Sequence, residues 1–497
     1  MVNDGTYTNP IIDADYSDPD VIRVGDDFYL TASSFNCVPG LPILHSKDLV
    51  NWKIIGHALQ RQPPYDHFAK PQHGNGVWAP AIRYHKNEFY IFYGDPDFGI
   101  YMVKARNAAG PWSEPHLVRP AKGWIDPAPF WDDDGNAYLV HAWANSRSGI
   151  KSILTINRMS PDGTKLLDDG KMVFDGRANH PTIEGPKLYK RNGYYYIFAP
   201  AGGVATGWQT VLRSKNIYGP YEDRIVMERG RTEINGPHQG GWVETKSGEA
   251  WFLHFQDRGA YGRIVHLQPM KWVDDWPIIG DDPDGDGKGE PVASYRKPNV
   301  GREYPVQAPQ TTDEFNSNKL GLQWQWHANP VDGWMRLNQD RLRLHAIPHD
   351  DTNLWTVPNL LLQKLPSRKF TVTTLVDGSH LTEGSRSGLL IMGREYSYLA
   401  IVGTANGLQL VRPEKPIHDL KTKSVFLRVS MNDGVCEFSY STDGNNFSPA
   451  GETFVAKPGV WIGAKVGLFS LGRGYAEYDW FRFAPHAQSA QTPARAQ

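Results

Sequence analysis

Five short aromatic runs recur along the first half of the chain: DFYLTAS from Asp27, EFYIFYG from Glu88, AYLVHAW from Ala137, YYYIFAP from Tyr194 and AWFLHFQ from Ala250. Their starts are 61, 49, 57 and 56 residues apart. Ahead of each stands a turn rich in Gly, Asn or Asp, and ahead of that another short strand-like piece, such as DPDVIRVGD, DPAPFWDDDGN or EGPKLYKRNG. Strand, tight turn and strand make a hairpin pattern, here repeated five times. A third strand-like piece follows each hairpin, as in PILHSKDL or GIYMVKA, and usually a fourth, as in WKIIG or HLVRP. Four-stranded units repeating at about 50 residues predict the blades of a propeller. The fold class expected is therefore all-β, a five-bladed β-propeller. A sandwich would also supply hairpins, but not the fixed repeat.

In a propeller the innermost strand of each blade runs along the central axis, so residues at its start share one mouth. Nine to twelve residues before the five runs stand Asp18, Ala79, Asp126, Glu184 and His238. Asp-Pro and Glu-Gly-Pro are turn formers, which is the ordinary reason to find them there. Three carboxylates at equivalent places ask for more. Crowded about one axis they repel, which drives one toward its protonated form while another stays charged. An acid and a base in one pocket is the equipment of glycoside hydrolysis.

The stretches YSDPDVIRVGDDFYLTASSF, WIDPAPF and IEGPKLY, in that order and spacing, resemble glycoside hydrolase family 43. NCVPGLPILHSKDLVNWKIIGHAL and GNGVWAPAIRYHKNEFYIFYG resemble its β-xylosidase and α-L-arabinofuranosidase members. The resemblance implies an inverting reaction with Asp18 as general base, Glu184 as general acid, and Asp126 as the residue that raises the acid's pKa and orients it. It also implies that His238, in GPHQGGW, lies beside a water-rich metal site near the axis, with calcium as a structural ion. Arg263 would be a fork for two sugar hydroxyls, and Phe35 and Trp78 apolar walls of the sugar subsite. Each has an ordinary alternative: a core histidine, a surface ion pair, core aromatics.

The expected activity is release of xylose from the non-reducing ends of xylo-oligosaccharides, with α-L-arabinofuranosidase activity beside it. The alternatives are an enzyme acting mainly as an α-L-arabinofuranosidase or arabinanase, and a non-catalytic sugar-binding propeller. Expected partners are xylo-oligosaccharides or arabinose-substituted plant polysaccharides. Ile125 stands where the related invertases and fructanases place an arginine, which argues against fructosides.

The boundaries expected are a propeller over 1–285, a linker over 286–312 and an antiparallel β-sandwich of jelly-roll type over 313–485. The sandwich follows from alternating runs such as RLRLHAI, FTVTTLV and VFLRVSM between polar turns. Its expected role is structural, with sugar binding as the alternative. HAQSAQTPARAQ, 486–497, reads as a disordered tail. In DDPDGDGKGE, Asp282, Asp284 and Asp286 alternate like the start of a calcium loop that lacks its terminal glutamate; the same string reads as an acidic linker.

Lys plus Arg (52) nearly balances Asp plus Glu (54) with no long basic run, which excludes a nucleic-acid footprint. No run of 18 apolar residues occurs, so no membrane-spanning helix is expected. The opening MVNDGTYTNP carries no export signal, which leaves both a secreted or periplasmic product of trimming and a cytoplasmic protein open. Cys37 and Cys436 fall in different expected domains, so no disulfide is expected. The 17 Trp and 23 Tyr offer flat apolar faces with polar edges that suit sugar rings, as they also suit a tightly packed β-protein.

Overall fold

The computed structural model describes residues 5–338, 340–349, 353–413 and 415–485; the tail expected over 486–497 lies outside them. Five four-stranded antiparallel sheets follow one another along the chain, each in simple sequence order. The first blade is Asp20–Val24, Asp27–Thr31, Gly40–Ser46 and Trp52–Leu59; the second is Trp78–His85, Glu88–Asp95, Gly99–Ala105 and His116–Pro120. The third is Trp124–Trp131, Ala137–Trp143, Ile153–Met159 and Lys171–Asp175. The fourth is Lys187–Arg191, Tyr194–Ala201, Trp208–Ser214 and Glu222–Met227, and the fifth His238–Glu244, Ala250–Asp257, Arg263–Val273 and Trp276–Ile279. The second strands begin at Asp27, Glu88, Ala137, Tyr194 and Ala250, the residues that open the five aromatic runs.

Those runs are apolar on both faces because both faces are covered: Glu88–Asp95 is buried at every position after its first. Each junction between blades has its own core. Trp52 packs with Trp251 and Leu253 between the first and fifth, Ile43 with Ile82 and Ile91 between the first and second, and Phe92 with Trp124 and Leu139 between the second and third. Ile156 and Ile197 sit between the third and fourth, and Phe198, Phe252 and Trp276 between the fourth and fifth. Truncating one such aromatic costs about 3–5 kcal/mol. The first strands of blades one to four contact one another in succession, and the fifth blade's first strand contacts that of the first, so these strands surround the axis. A cavity of about 680 Å³ lies at their far ends, lined by Arg23, Arg83, Trp131, Arg191 and Trp242 among others.

The chain forms two compact units, and their limits differ from the expected boundaries. Among the described residues, the first comprises 5–310, 322–330 and 459–463; the second lies within 311–321, 331–458 and 464–485. Most of the expected linker is thus folded into the first unit. Ser294–Arg296 pairs antiparallel with Thr6–Thr8, and Asp281 and Glu290 exchange backbone hydrogen bonds. Two short segments read as sandwich also belong to the first unit: Val38 pairs with Trp326, and the Gly463 amide donates to Asp15 Oδ2 at 2.9 Å. Local alternation of residues does not register such long-range pairing.

The second unit is an antiparallel β-sandwich. One sheet contains, in spatial order, Leu361–Lys364, Lys465–Leu471, Arg386–Met392, Tyr396–Thr404, Gly407–Arg412 and Lys415–Leu420. The other contains Leu342–His345, Gly474–Pro485, Lys369–Leu381, Ser424–Asn432 and Val435–Ser441 in that order. Ser424–Asn432 buries alternate residues, as a strand with one face on a core should.

Candidate active site

Asp18 lies two residues before the first blade's inner strand, Asp126 within the start of the third, and Glu184 three residues before the fourth. Asp18 (φ 54°) and Asp126 (φ 57°) both adopt the left-handed conformation, which is uncommon outside glycine. Each precedes a proline, which has no N–H to give to a sheet ladder. At Asp126-Pro127 the pairing register therefore slips between Ile125 and Ala128, a bulge that turns the carboxyl out of the strand. Gly185 has φ 59°, and a Cβ there would come within 2.8 Å of the Gln239 side chain, so glycine is the residue this approach demands.

Asp18 is buried and surrounded by donors. Its Oδ2 accepts from Ser33 Oγ at 2.5 Å and Ser17 Oγ at 2.7 Å, and Arg263 Nη1 lies 3.2 Å from its Oδ1. Asp126 Oδ2 accepts from the Gly185 amide at 2.7 Å and, more weakly, from Gln239 Nε2 at 3.4 Å. Glu184 Oε1 lies 2.8 Å from His238 Nε2. The Glu184 side chain is 28% exposed and that of Asp18 5%, so of the two Glu184 is open to a ligand.

Burial, then the charge of Glu184, push the Asp126 carboxyl well above the usual carboxylate range; Lys187 and the Gly185 amide oppose the shift. Both hydrogen bonds to Asp126 Oδ2 are donated to it, and Glu184 is the more open of the coupled carboxyls. Such an arrangement can protonate a leaving oxygen while Asp18 accepts a proton from water.

Of the remaining expected residues, Arg263 meets Asp18 through Nη1, and its Nε has no hydrogen-bond partner among the described residues. Its Nη1 also donates to Ser17 Oγ at 2.7 Å, its backbone amide donates to Asp15 Oδ1 at 2.9 Å, and its guanidinium covers the Phe255 ring at 4.7 Å. Trp78 is half-buried, with its indole N–H on the Gly74 carbonyl at 2.8 Å and the Arg147 guanidinium 5.5 Å from its ring. Phe35 is 2% exposed and so offers little face to a sugar.

Sequence reasoning missed Trp461, which is 53% exposed. Its ring stands 6.5 Å edge-on from Trp78 and 5.9 Å from the Arg263 guanidinium. An aromatic in the glycine-flanked PGVWIG was a signal of its own, but nothing local ties it to residues so distant in sequence. Asp15, which holds both the Arg263 and the Gly463 amides, was missed for the same reason.

His238 is fully buried. With Nε2 on Glu184, only Nδ1 is left without a hydrogen-bond partner among the described residues. It belongs to no group of three potential ligands there. One imidazole nitrogen does not fit calcium, which takes six to eight oxygens, and no step below passes through a metal. Asp282, Asp284 and Asp286 do bring carboxylate oxygens within 4.8 Å of one another. Those oxygens accept from the amides of their own turn, at Gly285, Gly287 and Lys288, and Asp286 pairs with Lys288 at 3.1 Å.

The sequence profile of glycosyl hydrolases family 43 matches residues 7–277, and that of the β-xylosidase C-terminal concanavalin A-like domain matches 312–484. A Xylanibacter ruminicola protein named as a candidate β-xylosidase is 44% identical over 94% of this chain and 86% of its own length. A β-xylosidase of Formosa agariphila is 34% identical over 97% of this chain and 90% of its own. The solved xylan β-1,4-xylosidase of Bacillus halodurans superposes with a TM-score of 0.85 at 26% identity, covering 96% of this chain and 99% of that one. The five blades, the three carboxylates at the starts of their inner strands and these matches agree: the chain belongs to glycosyl hydrolases family 43.

Proposed function

We propose that this glycoside hydrolase is an exo-acting, inverting β-xylosidase that also removes α-L-arabinofuranosyl groups. The observation that carries the reading is the unequal surroundings of two carboxyls. Asp18 is buried among three donors, whereas Glu184 is open and coupled to the buried Asp126.

Glu184 gives its proton to the glycosidic oxygen as the bond to the anomeric carbon breaks. Asp18 takes a proton from the water that attacks the opposite face, and inversion requires the two carboxyls to stand about 6.5–9.5 Å apart to admit that water. Arg263 and Ser33 fix the Asp18 carboxylate so that one lone pair meets the water. Asp126 holds the backbone directly after the acid through the Gly185 amide and supplies the charge that retains the acid's proton. The xyloside preference is supported by the Formosa relative's name; the arabinofuranoside activity by a Bacteroides ovatus relative, 29% identical over 96% of this chain, named a non-reducing end α-L-arabinofuranosidase.

The test compares wild type, Glu184→Gln and Asp18→Asn on aryl β-D-xyloside, aryl α-L-arabinofuranoside, xylo-oligosaccharides and arabinan. Monomeric xylose released stepwise by wild type, with a loss on the order of 100-fold or more in both variants, is the expected result. Release of internal arabinan fragments would replace the exo reading by an arabinanase. Equal inactivity of all three proteins would leave a sugar-binding propeller.

A further inference from the structure

Lys187, two residues after Gly185, opens the inner strand of the fourth blade and pairs with Phe198. It is 1% exposed, and its Nζ has no hydrogen-bond partner among the described residues. A buried ammonium without a partner is costly and rare. The charges that act on it come from three other blades: Asp20 and Asp18 of the first, Asp126 of the third and Arg83 of the second. A side chain on the fourth blade thus meets charges of the first, second and third.

The charges there can be paired off. Arg83 Nη1 is bound to Asp20 Oδ2 at 2.6 Å, and Arg263 to Asp18 at 3.2 Å. That leaves Asp126 as the buried carboxyl with no bound cation and Lys187 as the buried cation with no bound carboxyl, and each acts on the other. A buried carboxyl and a buried ammonium are neutral together when both are ionised. Burial lowers the ammonium's pKa, and Asp20 and Asp126 oppose that loss.

We propose that Lys187 is a positioning residue of the hydrolysis: its ammonium is the fixed counter-charge that keeps Asp126 ionised beside the acid, Glu184. The proposal rests on the acid role of Glu184. Without the ammonium, Asp126 takes up a proton, and the acid arm weakens as it would on neutralising Asp126 directly.

The test uses Lys187→Met and Lys187→Arg in the full chain, on a phenyl β-xyloside, whose departure needs an acid, and on a 2,4-dinitrophenyl β-xyloside, whose departure does not. K187M should lower kcat on the phenyl substrate by roughly 30-fold or more and on the dinitrophenyl substrate severalfold less. K187R, which keeps the charge, should recover most of the loss. K187M is also made in Asp126→Asn, where no buried anion is stranded by its removal; there it should cost under about threefold on either substrate. Equal losses on both substrates, the same loss in both backgrounds, or no loss at all would overturn the proposal. If E184Q proved as active as wild type on the phenyl xyloside, it is the acid assignment that would fall.

Discussion

Replacing Asp126 by Asn keeps the acceptor that holds the Gly185 amide at 2.7 Å and removes only the charge. That contact sets the Asp126 charge beside the residue that follows Glu184, and the two carboxyls act on one another. At an effective dielectric near 20, like charges about 4–6 Å apart repel by roughly 3–4 kcal/mol. The Glu184 side chain is 28% exposed, so solvent screens part of such a repulsion. The sign follows from the proton. While Asp126 is charged, the pair holds its proton to higher pH; without that charge the acid form is lost sooner as pH rises. The basic limb of kcat/KM against pH, measured on 4-nitrophenyl β-D-xyloside, should therefore move down. A lowered rate with an unmoved limb, or a limb moved upward, would refute the electrostatic role and leave Asp126 as a support for the backbone.

Trp461→Ala should raise KM severalfold and leave kcat within about twofold, with little change in Tm because the side chain is 53% exposed; an unchanged KM would remove it from the sugar's surroundings. Burial pushes the Asp95 carboxyl up to about 7. A folded pKa above the unfolded one contributes stability that is full in acid and lost as pH rises from about 4 toward 7. Asp95→Asn removes that dependence, so its stability relative to wild type should rise by roughly 2–4 kcal/mol across this window; parallel unfolding curves would contradict it. Chelation with EDTA should leave xyloside hydrolysis and Tm unchanged, since His238 offers one free nitrogen; a loss restored by calcium would reinstate a metal at the axis.

The propeller was legible because its five hairpins repeat, and because two-sided burial makes each second strand a continuous apolar run that starts where the structure starts it. The carboxylates were legible as a set for the same reason: equivalent positions in a repeat converge. Their division of labour was not legible from spacing. It depends on Ser33, Arg263 and His238, which reach Asp18 and Glu184 from elsewhere in the fold. Nor did the sequence show that Arg263 and His238 each meet one of these carboxyls. Lys187 was in view inside EGPKLY throughout, yet its burial depends on three other blades closing around it. Trp461 and Asn329 escaped because their partners lie hundreds of residues away: Asn329 Oδ1 accepts from the Gln62 amide at 2.7 Å.

The most direct test of the acid–base pair at the axis is the anomer first released. Proton NMR of β-xyloside hydrolysis, recorded before mutarotation, should show α-xylose appearing ahead of β-xylose for wild type, with the signal lost in Glu184→Gln. β-Xylose appearing first would mean that Asp18 attacks the sugar itself, and would contradict the assignment of a water-activating base opposite Glu184.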